Sequence, residues 1–264
     1  MRHKKNKKNK KNIIWCITGA GQFLEESYKF IKKLNERGDY DVTVVFSGAG
    51  YEVLGMYGLG SIKNYVKNLI LEENQGMSSP FCGQLSKKDY DFVVVAPATA
   101  NTVSKIVYGI ADTLVTNIVA QAGKTNTPVF VLPTDAEKVQ ETKIPMSIDN
   151  EKCGGCEYNK NRLHYRSRYF YRNVHYDKNC PCVAVCPNNA IFTTEKGILR
   201  INLMLCNACK CCISACKYNA ITFGKIVNIK CRDIDIENVE KLMGIKGINV
   251  VKNLDEIILH YYEK

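Results

Sequence analysis

Eleven of the thirteen cysteines in this 264-residue chain fall between Cys153 and Cys231, and their spacing limits what the chain can become. Cys206-x2-Cys209-x2-Cys212-x3-Cys216 sets three thiols two residues apart and a fourth three further on. Three thiolates at that spacing wrap one [4Fe–4S] cube, while the fourth reaches a neighbouring cluster. A zinc site needs four thiolates, usually as two CxxC pairs, and leaves the third ligand of this run unexplained. An odd cysteine count without a secretion signal argues against a disulfide framework and for metal or redox chemistry.

The run is the second copy of a repeat with a period of 30. Cys182-Val-Ala-Val-Cys186-Pro-Asn-Asn-Ala190-Ile191 aligns with Cys212-Ile-Ser-Ala-Cys216-Lys-Tyr-Asn-Ala220-Ile221. In the first copy the register puts Tyr176 and Asn179 where two cysteines belong, and Cys153-Gly-Gly-Cys156 stands upstream as their replacement. An insertion between the second and third ligand explains the gap. Swapped ligation then gives two sets, Cys206, Cys209, Cys212 and Cys186 for one cluster, and Cys153, Cys156, Cys182 and Cys216 for the other. Cys180 competes for a place in the second set. The alternative for Cys153 and Cys156 is a zinc ribbon completed by Cys180 and Cys182. Cys211 and Cys231 fall outside both sets, and Cys16 and Cys82 read as core thiols.

Residues 13–149 alternate apolar strands with helical segments. Strands are expected at Ile13–Ile17, Val42–Phe46, Phe92–Ala96 and Pro128–Leu132, and helices at Gln22–Arg37, Ser61–Glu73 and Thr102–Ala122, the last interrupted at Gly109. Strands this apolar call for an α/β fold, a parallel sheet covered on both faces. Residues 225–264 return to the same style, with strands at Ile226–Ile229 and Ile248–Val251 and helices at Ile236–Met243 and Leu254–Tyr262. Forty residues are too few for a separate core, so they are expected to complete the first sheet. The expected organisation is a basic disordered tail at 1–12, one domain from 13–149 and 225–264, and an inserted cysteine-rich domain at 150–224.

Three polar turns close apolar strands: Thr18-Gly19-Ala20-Gly21, Ser47-Gly48-Ala49-Gly50 and Ala96-Pro97-Ala98-Thr99-Ala100-Asn101-Thr102. Turns at the carboxyl ends of parallel strands mark the ligand crevice of such sheets, and amides at a helix N-terminus favour a phosphate. The first turn is not a full G-x-G-x-x-G, because Leu24 holds the sixth position.

At these residues the chain resembles a known family. APATANT at 96–102, followed by Gly109-Ile-Ala-Asp112, resembles the PASANT signature of the homo-oligomeric flavin-containing cysteine decarboxylase superfamily, and ITGAGQF at 17–23 resembles its first phosphate turn. The resemblance implies a Rossmann-like, flavodoxin-like domain packed as trimers or multiples of trimers. It implies FMN held by Thr18, Gly19, Ala20, Gly21, Ser47, Ala98, Thr99, Asn101 and Thr102. The decarboxylases use a histidine after the second strand, whereas this chain has none between His3 and His164. Their P-x-M-N-x-x-M-W clamp is also missing, with Pro145-Met146 the nearest remnant. Decarboxylation is therefore not expected. The pattern is similar to the archaeal flavoprotein branch, whose members couple ferredoxin-type centres to FMN. That implies two [4Fe–4S] clusters drawing electrons from ferredoxin or a similar soluble donor, and reduction of a dihydropterin, dihydromethanopterin to tetrahydromethanopterin. No general acid is assigned. A carrier that passes electrons from FMN to a protein, without a small-molecule substrate, is the alternative.

Charge bounds the rest. The first twelve residues hold seven bases of the net +11, so the folded remainder is only mildly basic. The segment 157–179 interleaves Arg162, Arg166, Arg168 and Arg172 with six aromatic residues, a pattern that covers an apolar cluster, docks an anionic partner or stacks on RNA. Nucleic acid is the least expected of these. No run of about 18 apolar residues offers a membrane span, and the expected compartment is the cytoplasm.

Overall fold

The computed structural model describes residues 10–87, 90–154, 180–194 and 198–257. The basic tail before Lys10, Cys156, the 157–179 segment and the end of the Leu254–Tyr262 helix lie outside the described residues.

Strand β1 (Lys11–Ile17) is buried along Ile13–Ile17, so it needs neighbours on both sides and cover on both faces. It starts two residues before the first apolar position, because Lys11 and Asn12 extend the ladder to β2 (Tyr40–Phe46). Helix α1 (Leu24–Arg37) joins them and buries Leu24, Ser27, Phe30, Ile31 and Leu34. It ends where expected, at Gly38 with φ 74°, the left-handed conformation that glycine takes without cost. Trp15 is fully buried, packs 5.5 Å from the Phe30 ring, and donates its indole N–H to Ala96 O at 3.0 Å. That bond gives its one polar atom a partner in the core.

The segment expected as helix Ser61–Glu73 is a correction. It forms a 3-10 turn at Gly60–Asn64 and strand β3 (Asn68–Leu71), with Glu72–Asn74 turning away. Ile62, Val66, Leu69 and Ile70 have helical spacing, but pairing with β2 from Thr43↔Asn68 to Phe46↔Leu71 prevails over that weak local preference. Helix α2 (Gly48–Met56) precedes it, so Ser47-Gly-Ala-Gly opens a helix instead of remaining a free turn.

Beyond β1 lie β4 (Phe92–Ala98), helices α3 (Ala100–Val107) and α4 (Leu114–Thr125), and β5 (Val129–Pro133). The expected break at Gly109 is present, at φ 69°. Helix α5 (Asp233–Met243) and β6 (Ile248–Val250) bring the C-terminal segment back to the sheet, where β6 pairs in parallel with β5. Of the two strands expected in this segment, β6 joins the main sheet, whereas Ile226–Lys230 is a strand outside it, its residues largely exposed and therefore unsuited to a sheet covered on both faces. The strand order is β6-β5-β4-β1-β2-β3, all parallel. This is the doubly wound arrangement, whose order reverses between β1 and β4.

Two compact units arise: Met1–Val53, Ser61–Glu141 and Asn228–Lys264 in one, Leu54–Gly60 and Thr142–Val227 in the other. The second is small. Its core is Met146, Cys180, Cys182, Val183, Ile191, Leu199, Cys212 and Ile221. Two short antiparallel ladders carry it, Ile191–Thr193 with Leu199–Ile201 and Ser147–Ile148 with Ile221–Thr222. Among the described residues no helix is long and apolar enough to cross a membrane.

Candidate functional site: a switch-point crevice and a thiol-lined cavity

The first site grows from the reversal of strand order. In doubly wound sheets the carboxyl ends of the strands at such a reversal are where ligands bind. Thr18 ends β1, and its buried hydroxyl donates to Pro97 O at 2.7 Å and accepts from Thr99 N at 2.9 Å. The Ala96–Pro97 peptide is cis. Thr99 caps α3, its Oγ1 accepting from Thr102 N and lying 3.1 Å from Thr102 Oγ1. Thr18, Thr99 and Thr102 thus form one hydrogen-bonded unit whose hydroxyls are engaged within the chain. Ala98 is fully buried, and its carbonyl accepts from Thr134 N at 2.8 Å and Thr134 Oγ1 at 3.3 Å.

The donors facing outward are backbone amides. Among the described residues, the N–H groups of Gly19, Gly21, Ala100 and Asn101 find no acceptor in the chain. They lie before α1 and in the first turn of α3, where the helix dipole adds to their attraction for an anion. Ala20 N turns back to Thr18 O at 2.8 Å.

Ser47 holds the turn after β2. Its amide donates to Ile17 O at 3.1 Å, and its hydroxyl accepts from Gly50 N at 3.0 Å. Two glycines let these segments approach. A Cβ on Gly50 would stand 2.3 Å from Ile17 O, and one on Gly19 would stand 2.6 Å from the Ala49 Cβ. Glu72, which no sequence motif singles out, joins two helix starts. Oε2 accepts from Gly48 N at 2.8 Å and Oε1 from Leu114 N at 2.6 Å. Its partners are 24 and 42 residues away, so no local pattern betrays it.

The second site lies in the cysteine-rich unit, where the repeat is written in hydrogen bonds. Cys186 Sγ accepts from Ala190 N at 3.2 Å and Cys216 Sγ from Ala220 N at 3.3 Å. Asn189 and Asn219 each take φ 50°. Asn202 N donates to Ala190 O, and Asp149 N to Ala220 O, both at 2.7 Å. Cys206 N returns to Asn202 O and Cys153 N to Asp149 O. Cys153 therefore holds in the first copy the place that Cys206 holds in the second. Cys180 matches Lys210, since each opens the following turn with its carbonyl bonded to the amide three residues on.

Cys186, Cys206, Cys209 and Cys212 line one cavity, walled by Met146, Ile191 and Ile201. Burial pushes the Cys212 thiol up to about 11, with Cys206, Cys186 and Cys209 adding to the shift. Cys182 is raised as well, first by its hydrogen bond to Cys180, then by burial and by Cys216. Thiols that face one another out of water resist becoming thiolates together, and bound iron reverses this by neutralising them. Among the described residues, no three side chains close up to the spacing of a single-ion site. Thiolates around a four-iron cube stand farther apart than ligands around one ion. Cys16 and Cys82 lie in the other unit, and Cys231 Sγ is turned to Asp135 Oδ1 at 3.6 Å.

Comparison with known proteins agrees with this geometry. The family model described as Flavoprotein matches residues 1–148. The dihydromethanopterin reductase (acceptor) of Methanosarcina mazei is 39% identical over 253 residues, 93% of this chain and 97% of that protein. A putative iron–sulfur subunit of the dimethyl sulfoxide reductase of Halobacterium salinarum is 48% identical over 47 residues, 18% of each chain. In fold, the chain is similar to Burkholderia xenovorans DmrB, solved with FMN as a cubic protein cage for redox transfer. That match has a TM-score of 0.56, 24% identity and coverage of 96% of this chain and 94% of that one. The doubly wound sheet, the turns at its switch point and these matches lead to one conclusion: the chain belongs to the Flavoprotein family.

Proposed function

We infer that the chain is an FMN- and iron–sulfur-dependent oxidoreductase that reduces dihydromethanopterin to tetrahydromethanopterin with electrons from a soluble one-electron donor. The observation that carries the reading is the meeting of Cys186, Cys206, Cys209 and Cys212 around one cavity, in a chain whose other unit presents unpaired amides at the switch point of a doubly wound sheet. The near full-length likeness to a protein named for that reaction supports the choice of substrate. When bound, iron–sulfur clusters pass single electrons, and flavin collects two and releases them as hydride.

FMN belongs to the unit that carries the doubly wound sheet. The amides of Gly19, Gly21, Ala100 and Asn101, without acceptors in the chain, would receive its phosphate. Thr18, Ser47, Thr99 and Thr102 shape the turns that hold those amides, and Ala20 and Ala98 complete them. The cysteine-rich unit holds two [4Fe–4S] clusters, one on Cys186, Cys206, Cys209 and Cys212, the other on Cys153, Cys156, Cys182 and Cys216. The N–H···S bonds to Cys186 and Cys216 fix where both sulfurs point. The working form is a homo-oligomer, a trimer or a multiple of trimers; DmrB, described as a cubic protein cage, supports a closed assembly.

The test is anaerobic purification, full reduction and removal of excess reductant, followed by titration with dihydromethanopterin. Stoichiometric reoxidation of flavin with formation of tetrahydromethanopterin is expected. A reduced protein that ignores the dihydropterin but reduces a protein acceptor overturns the reading in favour of a carrier.

A further inference from the structure

Two stretches without an acid flank the thiol-lined cavity. From Ile198 to Val227 the sequence has Arg200, Lys210, Lys217 and Lys225 and no acid, and Cys180 to Thr194 carries no charge at all. Large apolar side chains stand in the open at the same place: Met204 is 60% exposed, Leu205 46% and Val185 42%. Scattered exposed apolar residues are ordinary, but these are drawn together. Asn188 Nδ2 donates to Leu205 O at 3.0 Å, which ties the loop after Val185 to the Met204–Leu205 turn. Asn188, Asn207, Cys209 and Lys210 line the cavity itself, and Cys209 is exposed. The outermost thiol therefore sits inside an apolar patch, and every charge that these two stretches bring to it is positive.

We propose that this face, centred on Cys209 and formed by Val185, Met204, Leu205 and Lys210, is the docking surface for a small acidic one-electron carrier protein. The proposal rests on the reading of the cavity as an iron–sulfur site. An apolar centre with a charged rim is the anatomy of a transient interface. Rim charges of one sign accelerate encounter with an oppositely charged partner, steeply so at low salt. Each docking passes one electron from the carrier's reduced iron centre to the chain. Two carriers are oxidised for every dihydropterin reduced, and the two protons come from water.

The test uses the holoprotein with an acidic two-cluster ferredoxin as probe and a basic c-type cytochrome as control. Binding of the oxidised ferredoxin is measured by calorimetry at low and high salt for the unmodified chain, Met204→Glu, Leu205→Glu and the double variant. Cluster reduction by the reduced ferredoxin is followed in a rapid-mixing experiment. Affinity and second-order rate should fall roughly tenfold or more in the double variant at low salt, with the difference shrinking as salt rises. Reduction by dithionite should stay unchanged, and the cytochrome should not bind. Equal binding by all four proteins, or binding insensitive to salt, overturns the proposal. So does a change in oligomer size in the variants by light scattering, which assigns the face to a second copy of the chain. Because binding and cluster reduction are read without any pterin, a failure to reduce dihydropterin refutes the function and leaves this result standing.

Discussion

Single residues carry much of the switch-point architecture. Glu72 accepts two amides from the starts of α2 and α4, a charge-assisted pair of bonds reinforced by both helix dipoles. Glu72→Gln keeps one acceptor and turns an N–H2 toward the other amide. Equilibrium denaturation should show a loss of about 1–3 kcal/mol; an unchanged midpoint would mean the bridge contributes nothing. Gly50 is a sharper case. Inside a helix, glycine to alanine ordinarily stabilises by up to about 1 kcal/mol. Here the new Cβ meets the Ile17 carbonyl at 2.3 Å, so Gly50→Ala should destabilise by roughly 1–3 kcal/mol, and FMN affinity should fall with it. Cys82 gives a pH prediction. Burial pushes its thiol up to about 11, and Cys16 beside it is raised further. Because the fold favours the neutral thiols, their contribution to stability is complete below the ordinary thiol pKa and fades as pH climbs toward 11. Iodoacetamide should leave both untouched in the folded protein at about pH 8 and begin to modify Cys82 only near pH 11, as read by peptide mass mapping.

Elements differ in how plainly the sequence announces them. α1 is legible because its apolar residues keep a 3.6-residue period and Gly38 closes it. β1, β2, β4 and β5 are legible because strands buried on both faces are nearly all apolar. β3 is not, since an edge strand of four half-exposed residues has no face to pattern, and its pairing with β2 is a tertiary fact. The turns at 18–21 and 96–102 can be located from sequence, but not that Thr18 and Thr99 bond each other across 81 residues. The cysteine repeat is visible as letters, and its structural meaning lies in the paired turns. Asn189 and Asn219 both adopt φ 50°, where a Cβ without a polar partner costs about 1–2 kcal/mol. Asn189→Ala and Asn219→Ala should therefore destabilise the unit by similar amounts, measured by thermal unfolding of the anaerobic holoprotein. A large effect at one site and none at the other would contradict the equivalence of the two copies.

At the scale of the whole molecule, one chain carries a doubly wound sheet of the Flavoprotein family and a small unit in which four thiols line a cavity. On the proposed function, electrons enter at the clusters and leave through the flavin. Anaerobic rapid mixing of the oxidised holoprotein with reduced ferredoxin, recorded as full spectra, tests this most directly. Cluster bleaching should come first and flavin reduction should follow with a lag, and a second mixing with dihydromethanopterin should reoxidise the flavin and then the clusters. Flavin reduced without a lag, while the clusters stay oxidised, would contradict the account.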